Sequence, residues 1–441
     1  MSPEIIGALM FAGMLALMAL RVPIAAAMFI PGALGYIALS GTGSLLNLLK
    51  GSAVARLTVY ELSVIPLFLL MGAFASQGGL SRDLFRAAAA FIGHVRGGLA
   101  MASLLSAAAF GAVCGSSVAT AATITQVAYP QMKAHGYHGR LSTSSLAVGG
   151  TLGILIPPSV PLVVYAILTE QNIAKLFAAA LVPGLLAVAG YLAVVALVCR
   201  ARPGLATPSA RVPWRERWTA LAGVWPIALT FGVVFGGIYG GLFSPTEGAG
   251  VGALMTLLLG LLRGELKAAG LRDALASTAE TSAMVFMIFL GADMMNASLA
   301  LSELPRHIAE GVAAMPVPGI AIVAAVLLLY VALGCVMDEL SMLLLTIPVV
   351  FPAIMALDLW GLSYEGKALW FGVLMLMTVS IGLVAPPVGL NVYVVNNLAR
   401  DVPMVETYKG VFPFLAWDVL RVVLLLVLPV LALGLVDILY G

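Results

Sequence analysis

The 441-residue chain is 62% hydrophobic and only 10% charged, against roughly 45–50% apolar and about 25% charged residues in ordinary soluble domains, which excludes a soluble enzyme. Lys and Arg number 22 and Asp and Glu 20, so net charge points to no nucleic acid and no acidic partner. Mean hydropathy is +1.09, carried by continuous rather than alternating apolar runs. Such a backbone is satisfied in lipid only as a bundle of helices, and a β-barrel is excluded.

In chain order, full crossings are predicted over 4–20, 22–40, 61–79, 141–168, 176–199, 218–241, 247–262, 274–295, 368–395 and 420–439, each about twenty residues or somewhat more. The N-terminus has Glu4 and no Lys or Arg before Arg21, so it lacks the basic region of a cleaved signal peptide. Two further apolar regions, 98–130 and 316–357, are too long for one helix and are broken midway. The breaks are Cys114-Gly115-Ser116-Ser117 and Met337-Asp338-Glu339. Half-length arms around an irregular tip predict re-entrant hairpins whose tips sit in protein or beside water, because lipid cannot satisfy them. Two short helices with a surface loop are the alternative.

Basic residues divide unevenly between the loops: 17, including Arg82, Lys133, Arg200–Arg217, Arg263, Lys409 and Arg421, fall on one face and 5 on the other. The richer face is expected to be cytoplasmic, with both termini outside and the hairpins entering from opposite faces. The stretches 41–60, 296–315 and 358–367 are then outward loops. Opposed hairpins suggest an inverted repeat, and the sequence repeats accordingly. Gly153-Ile154-Leu155-Ile156-Pro157-Pro158 follows the first hairpin and Gly382-Leu383-Val384-Ala385-Pro386-Pro387 the second, while Gly111 to Pro130 and Gly334 to Pro352 bracket the tips at similar length. A Pro-Pro pair removes two backbone donors and pushes the preceding residue out of the helical region, so 141–168 and 368–395 are predicted to be broken helices. The Arg- and Pro-rich linker 200–217 separates the halves.

Unwound helix centres and hairpin tips offer carbonyl and hydroxyl oxygens, a donor set for a small hard cation such as sodium. One candidate site joins the Cys114–Ser117 tip, with Ser116, to the Gly153–Pro158 break. A second joins the Met337–Ser341 tip, with Asp338, to the Gly382–Gly389 break. Ser159, Asn391 and Tyr393 are candidate substrate contacts, the last two just beyond the second break. Ser116 and Ser117 serve equally as small helix-contact residues, and Asp338 and Glu339 as a hairpin cap. Ser244-Pro245-Thr246-Glu247 has the form of a capped helix start. His135 and His138 belong to a solvated basic loop rather than a metal site, and no nucleophile–base pair or nucleotide-binding motif suggests an enzyme.

The runs Gly115–Ala122, Gly150–Ser159, Ser244–Glu247 and Pro386–Asn391, in this order, resemble the large membrane subunit of tripartite ATP-independent periplasmic (TRAP) transporters over essentially the whole chain. The resemblance implies an all-α polytopic inner-membrane protein of bacteria: an inverted-repeat, elevator-type secondary transporter with two re-entrant hairpins and two broken helices. It implies uptake of a small organic acid driven by sodium, two or more ions being coupled, with a small four-helix membrane subunit and a periplasmic substrate-binding protein as partners in the lipid bilayer. Its sodium sites would map onto Cys114, Ser117, Gly153, Ile156 and Pro158, and onto Gly382, Ala385 and Val388 with the Asp338 tip. Cys114 stands where such tips often carry serine, and Ala385 where threonine commonly precedes the prolines, which leaves coordination to carbonyls. Scaffold helices are expected in 1–80, in 169–295 around the 200–217 linker, and in 396–441, and the transport domain in 81–168 and 296–395. A self-sufficient anion carrier, or a passive channel or scaffold, is the alternative.

Overall fold

The computed structural model describes residues 2–440, and among these every regular element is helical. Among the described residues eight helices are long and apolar enough to cross a membrane, nine if the bent pair Trp214–Ala222 and Trp225–Tyr239 counts as one span. Both hairpins are present. In the first, Gly98–Cys114 and Ser117–Ala134 are joined through Gly115 in the left-handed region (φ 66) and Ser116, whose hydroxyl caps the second arm. In the second, Gly319–Gly334 and Glu339–Met355 are joined through Asp338, which caps its second arm. At the tips Cys114, Ser117, Cys335 and Met337 are buried, while Val336 is exposed. Both predicted breaks occur: Gly139–Leu155 gives way to Val160–Thr169, and Tyr364–Gly382 to Leu390–Leu398.

The two halves repeat one order: an amphipathic helix (Leu80–Ile92, then Leu304–Ala313), a hairpin against which it packs, a broken helix, and a long helix (Ile173–Ala201, then Met404–Val427). Ion pairs show that the repeats are inverted. The base of the first hairpin meets the end of the second broken helix through Lys133 Nζ to Asp401 (2.8 Å) and Tyr129 Oη to Asp401 (2.7 Å). Lys133, then Tyr129, hold the Asp401 carboxyl below its ordinary range. The start of the second broken helix instead meets the end of the first half, through Lys175 Nζ to Glu365 at 2.7 Å.

Outside this paired core lies a second group. Ile24–Leu57 packs along Ala268–Leu301, which also meets Val64–Gln77, and Pro245–Leu262 packs between Val64–Gln77 and Trp225–Tyr239. The Ile24–Leu57 and Ala268–Leu301 helices touch backbone to backbone where Gly32 and Gly291 leave room, with Ser298 Oγ donating to the Gly32 carbonyl at 2.7 Å. The Ser244–Glu247 capping box forms as expected, Glu247 N donating to Ser244 Oγ at 3.2 Å and Ser244 N to the Glu247 carboxylate at 2.8 Å.

Four sequence expectations are corrected. Residues 41–60 are not a loop: the chain passes Gly41 at φ 83 and remains helical to Leu57. The stretch 296–315 is also largely helical, completing Ala268–Leu301 and then forming Leu304–Ala313. The last crossing is Met404–Val427 rather than 420–439, ending at Leu428 before Pro429, with Val430–Tyr440 a separate helix. Arg421 is therefore no cytoplasmic loop residue but lies wholly buried within that helix. Its removal leaves the positive-inside bias intact. On a background lacking Cys114, Cys199 and Cys335, Gly204→Cys is expected to react with an impermeant thiol reagent only from the cytoplasm, because Gly204 sits in the exposed basic linker with open space around it. Labelling from outside intact cells would invert the orientation.

Candidate functional site

Each hairpin meets its broken helix through a pair of glycines. A Cβ on Gly111 would lie 2.5 Å from the Gly153 Cα, and one on Gly382 would lie 2.5 Å from the Gly334 carbonyl carbon. Any side chain at these crossings would drive two backbones apart, so the glycine spacing read in the sequence is a packing requirement. The Pro157–Pro158 and Pro386–Pro387 bonds are both cis.

At the first junction, the Val160 N–H donates to the Gly115 carbonyl at 3.3 Å, tying the tip across the break. The space a Cβ of Gly153 would need is occupied by the Ser116 carbonyl and the Thr120 hydroxyl. Thr120 Oγ1 is buried beside the Cys114 thiol and has no other hydrogen-bond partner. A buried hydroxyl beside a carbonyl, at a break in the helix, is a donor set of the hard-oxygen kind that a sodium-sized cation takes. Thr120 was not singled out from sequence, although it lies one helical turn beyond Ser116 on the same face.

Ser117 is fully buried, and its Oγ accepts from Asn391 Nδ2 at 2.7 Å. Asn391 Nδ2 also donates to the Ala147 carbonyl (3.2 Å), while Asn391 Oδ1 has no partner. Asn391 thus crosses from the second half to the first tip, through room left by Gly150, whose Cβ would lie 2.8 Å from Nδ2. Tyr393 does not accompany it, being half exposed. Ser159 is fully buried and caps Val160–Thr169, accepting from Leu162 N at 3.4 Å. Cys114 is buried and free, its backbone packed against Gly72 of Val64–Gln77, where a Cβ would lie 2.8 Å from the Cys114 Cα. Ile156 and Pro158 are buried in the first break.

The second junction is more open: Pro386, Pro387 and Val388 are exposed, while Ala385 and Gly389 remain buried. Tyr408 Oη, which sequence reasoning also missed, donates to the Val388 carbonyl at 2.6 Å and to the Pro387 carbonyl at 3.1 Å. Cys335 Sγ donates to the Pro386 carbonyl at 3.4 Å, joining tip to break. Asp338 caps its helix, accepting from the Ser341 N–H at 3.1 Å and from the Ser341 hydroxyl, and borders a cavity of about 800 Å³ lined by Ile24, Phe29, Met284, Met287 and Ser341. The neighbouring Glu339 is buried with one carboxylate oxygen unpartnered, close to the backbone N–H of Ser117. The two tips therefore adjoin. A smaller polar cleft of about 190 Å³ separates the first hairpin from the outer group, lined by Ser76, Gln77, Ser116, Thr123, Asp273 and Thr281. No cluster of three His, Cys, Asp or Glu suited to a metal occurs among the described residues.

An inverted pair of hairpins and broken helices, buried in a bundle of apolar spans, defines a membrane transporter rather than an enzyme. The chain belongs to the DctM family: residues 11–431 match the family described as "Tripartite ATP-independent periplasmic transporter, DctM component". It is 32% identical to the C4-dicarboxylate TRAP transporter large permease protein DctM of Pseudomonas aeruginosa, over 85% of this chain and 86% of that protein. It is 28% identical to the ectoine TRAP transporter large permease protein TeaC of Halomonas elongata, over 97% and 98%. In fold it is similar to the YdaH transporter of Alcanivorax borkumensis, with a TM-score of 0.61 at 17% identity, covering 88% of this chain and 89% of that one.

Proposed function

We propose that this permease imports a small organic acid across the bacterial inner membrane, driven by sodium, with the hairpins and broken helices moving as one body against the outer helices. The observation that carries the reading is the twofold tip-against-break junction, with the buried Thr120 hydroxyl and the unpartnered Asn391 Oδ1 at the first of them. The arms beginning at Ser117, Val160, Glu339 and Leu390 all start at the tips and breaks, so four helix N-termini favour an anionic solute there. The polar cleft beside Ser116 supplies a route between the moving body and its frame.

Ile173–Ala201 and Met404–Val427 travel with the moving body in this reading, in place of the scaffold role expected from sequence. Met404–Val427 is bonded to the broken helices through Thr143 Oγ1 to Thr407 Oγ1 at 2.8 Å and Trp370 Nε1 to the Leu425 carbonyl at 2.8 Å, and Ile173–Ala201 to the first of them through Tyr191 Oη to Thr151 Oγ1 at 3.2 Å. The frame is then the group around Ile24–Leu57 and Ala268–Leu301. Each net positive charge entering down 100 mV releases about 2.3 kcal/mol, so two supply about 4.6 kcal/mol, enough for roughly thousandfold accumulation.

The family's tripartite character and the short outward segments support a small four-helix membrane subunit and a periplasmic binding protein as partners. On that face Arg56 is already paired with Asp293, and Lys367 Nζ donates to the Met355 and Leu357 carbonyls at 2.9 Å. Docking contacts are left to exposed groups such as Glu303 and Arg306, the latter already paired with Glu310 at 2.8 Å. The test is uptake into proteoliposomes under an imposed sodium gradient. Ser117→Leu, which fills the space between Gly150 and Asn391, is expected to abolish sodium stimulation while the protein stays inserted. Undiminished sodium dependence in that variant removes the first site, and equal uptake of free solute without the binding protein replaces the tripartite reading with a self-sufficient carrier.

A further inference from the structure

A buried ion pair links the two broken helices. Asp418 and Arg421 stand one turn apart on Met404–Val427, and neither has any exposure. Arg421 Nε donates to Asp418 Oδ1 at 2.8 Å, and Asp418 Oδ2 accepts from Tyr191 Oη at 3.0 Å. Tyr191 Oη lies 3.2 Å from Thr151 Oγ1, a hydrogen bond between two hydroxyls. At the other end, Arg421 Nη2 donates to Ser380 Oγ at 3.1 Å. Thr151, Tyr191 and Ser380 are buried as completely as the charged pair.

The endpoints matter more than the pair. Thr151 is two residues before Gly153, and Ser380 two residues before Gly382. The chain of bonds therefore ends, in both halves, at the same place on the broken helix, one short step from the glycine against which the hairpin packs. Stability does not account for it, because well-packed apolar residues of the same volume hold helices together at least as well as a buried ion pair. A bonded polar chain instead favours one relative arrangement of the elements it joins. Arg421 Nη1 is buried without an acceptor, so the guanidinium keeps a spare donor.

We propose that the chain Thr151–Tyr191–Asp418–Arg421–Ser380 couples the two cation junctions, so that sodium at one sets the backbone of the other and the two ions load cooperatively. The inference rests on the two-site sodium reading above. Tyr191, Asp418 and Arg421 are positioning residues in this scheme, since they reach the junctions only through Thr151 and Ser380. Coupling between sites is reciprocal, and its loss lowers the affinity of each by roughly 5- to 150-fold in typical systems.

The experiment is the sodium dependence of uptake by the complete transporter in proteoliposomes, with its partners and saturating delivered solute. The unaltered protein is expected to give a Hill coefficient approaching about two, the limit for two sites. Tyr191→Phe and Ser380→Ala cut the chain on either side of the ion pair and leave the pair itself intact. Each is expected to lower the Hill coefficient and to raise half-saturating sodium about fivefold or more. Sodium-free melting temperature is measured alongside, because a purely structural role lowers the amount of folded protein without changing the shape of the curve. Wild-type Hill coefficient and half-saturation in both variants overturn the coupling. So does a Hill coefficient of one in sodium-dependent wild-type uptake, which leaves the two sites standing. Uptake indifferent to sodium in the wild type removes the sites and the coupling together.

Discussion

Alanine at Gly382 is expected to abolish sodium-driven uptake while the permease still reaches the membrane. Its Cβ would lie 2.5 Å from the Gly334 carbonyl carbon, 2.6 Å from the Gly334 Cα and 2.9 Å from the Cys335 nitrogen. All three are backbone atoms, so no rotamer change relieves the clash. The second hairpin must separate from its broken helix, at the cost of overpacking, about 1–3 kcal/mol, and of the geometry that sets the tip beside the carbonyls. Gly232 supplies the control, since a Cβ there meets nothing within 4 Å. Gly232→Ala should transport normally, and a Gly382→Ala protein that transports as well as Gly232→Ala would show that the glycine crossing does not hold the second junction together. The measurement is uptake per inserted molecule in proteoliposomes, with sodium-dependent thermal stabilisation as a second readout.

This crossing was legible in the sequence, and the reasons are specific. Glycine before a doubled proline has few structural meanings, and its recurrence at equivalent points of two halves restricted them further. The tips were legible because lipid tolerates no unsatisfied backbone. Partners distant in sequence were not legible. Asn391 was placed near the second break, where its chain position puts it, whereas its amide bonds Ser117, 274 residues away. Nothing local marks that reach except Gly150, whose missing side chain makes the space. The helix beyond Gly41 escaped because glycines among small polar residues read as a loop, yet past Gly41 the next turns continue with helical geometry.

Arg421 was misread for a further reason. A charge within an apolar run is ordinarily costly, roughly 2.5–3.5 kcal/mol at the centre of a bilayer, so a hydropathy-based reading starts the span there and shifts it toward the C-terminus. Asp418, three residues earlier on the same helix face, removes that cost by pairing with it. The spacing is visible in the sequence once pairs rather than single charges are weighed. The error in the last crossing and the omission of the ion pair thus have one origin.

The same pair predicts an uneven response to mutation. Asp418→Leu leaves Arg421 buried and uncompensated, and Arg421→Met does the same to Asp418. Breaking one partner of a buried pair typically costs about 3–5 kcal/mol, whereas replacing both by apolar residues of similar volume is often neutral or stabilising. Each single variant should therefore accumulate poorly and melt well below the wild type, and Asp418→Leu/Arg421→Met should recover most of that loss. Tyr191 and Ser380 temper the recovery, because their hydroxyls lose a partner, although Ser380 Oγ retains the Met377 carbonyl at 2.6 Å. Detergent-solubilised melting curves of the four proteins measure the effect directly. Single variants as stable as the double would mean that the interior around Met404–Val427 is solvated, and that the pair is not enclosed as its complete burial requires.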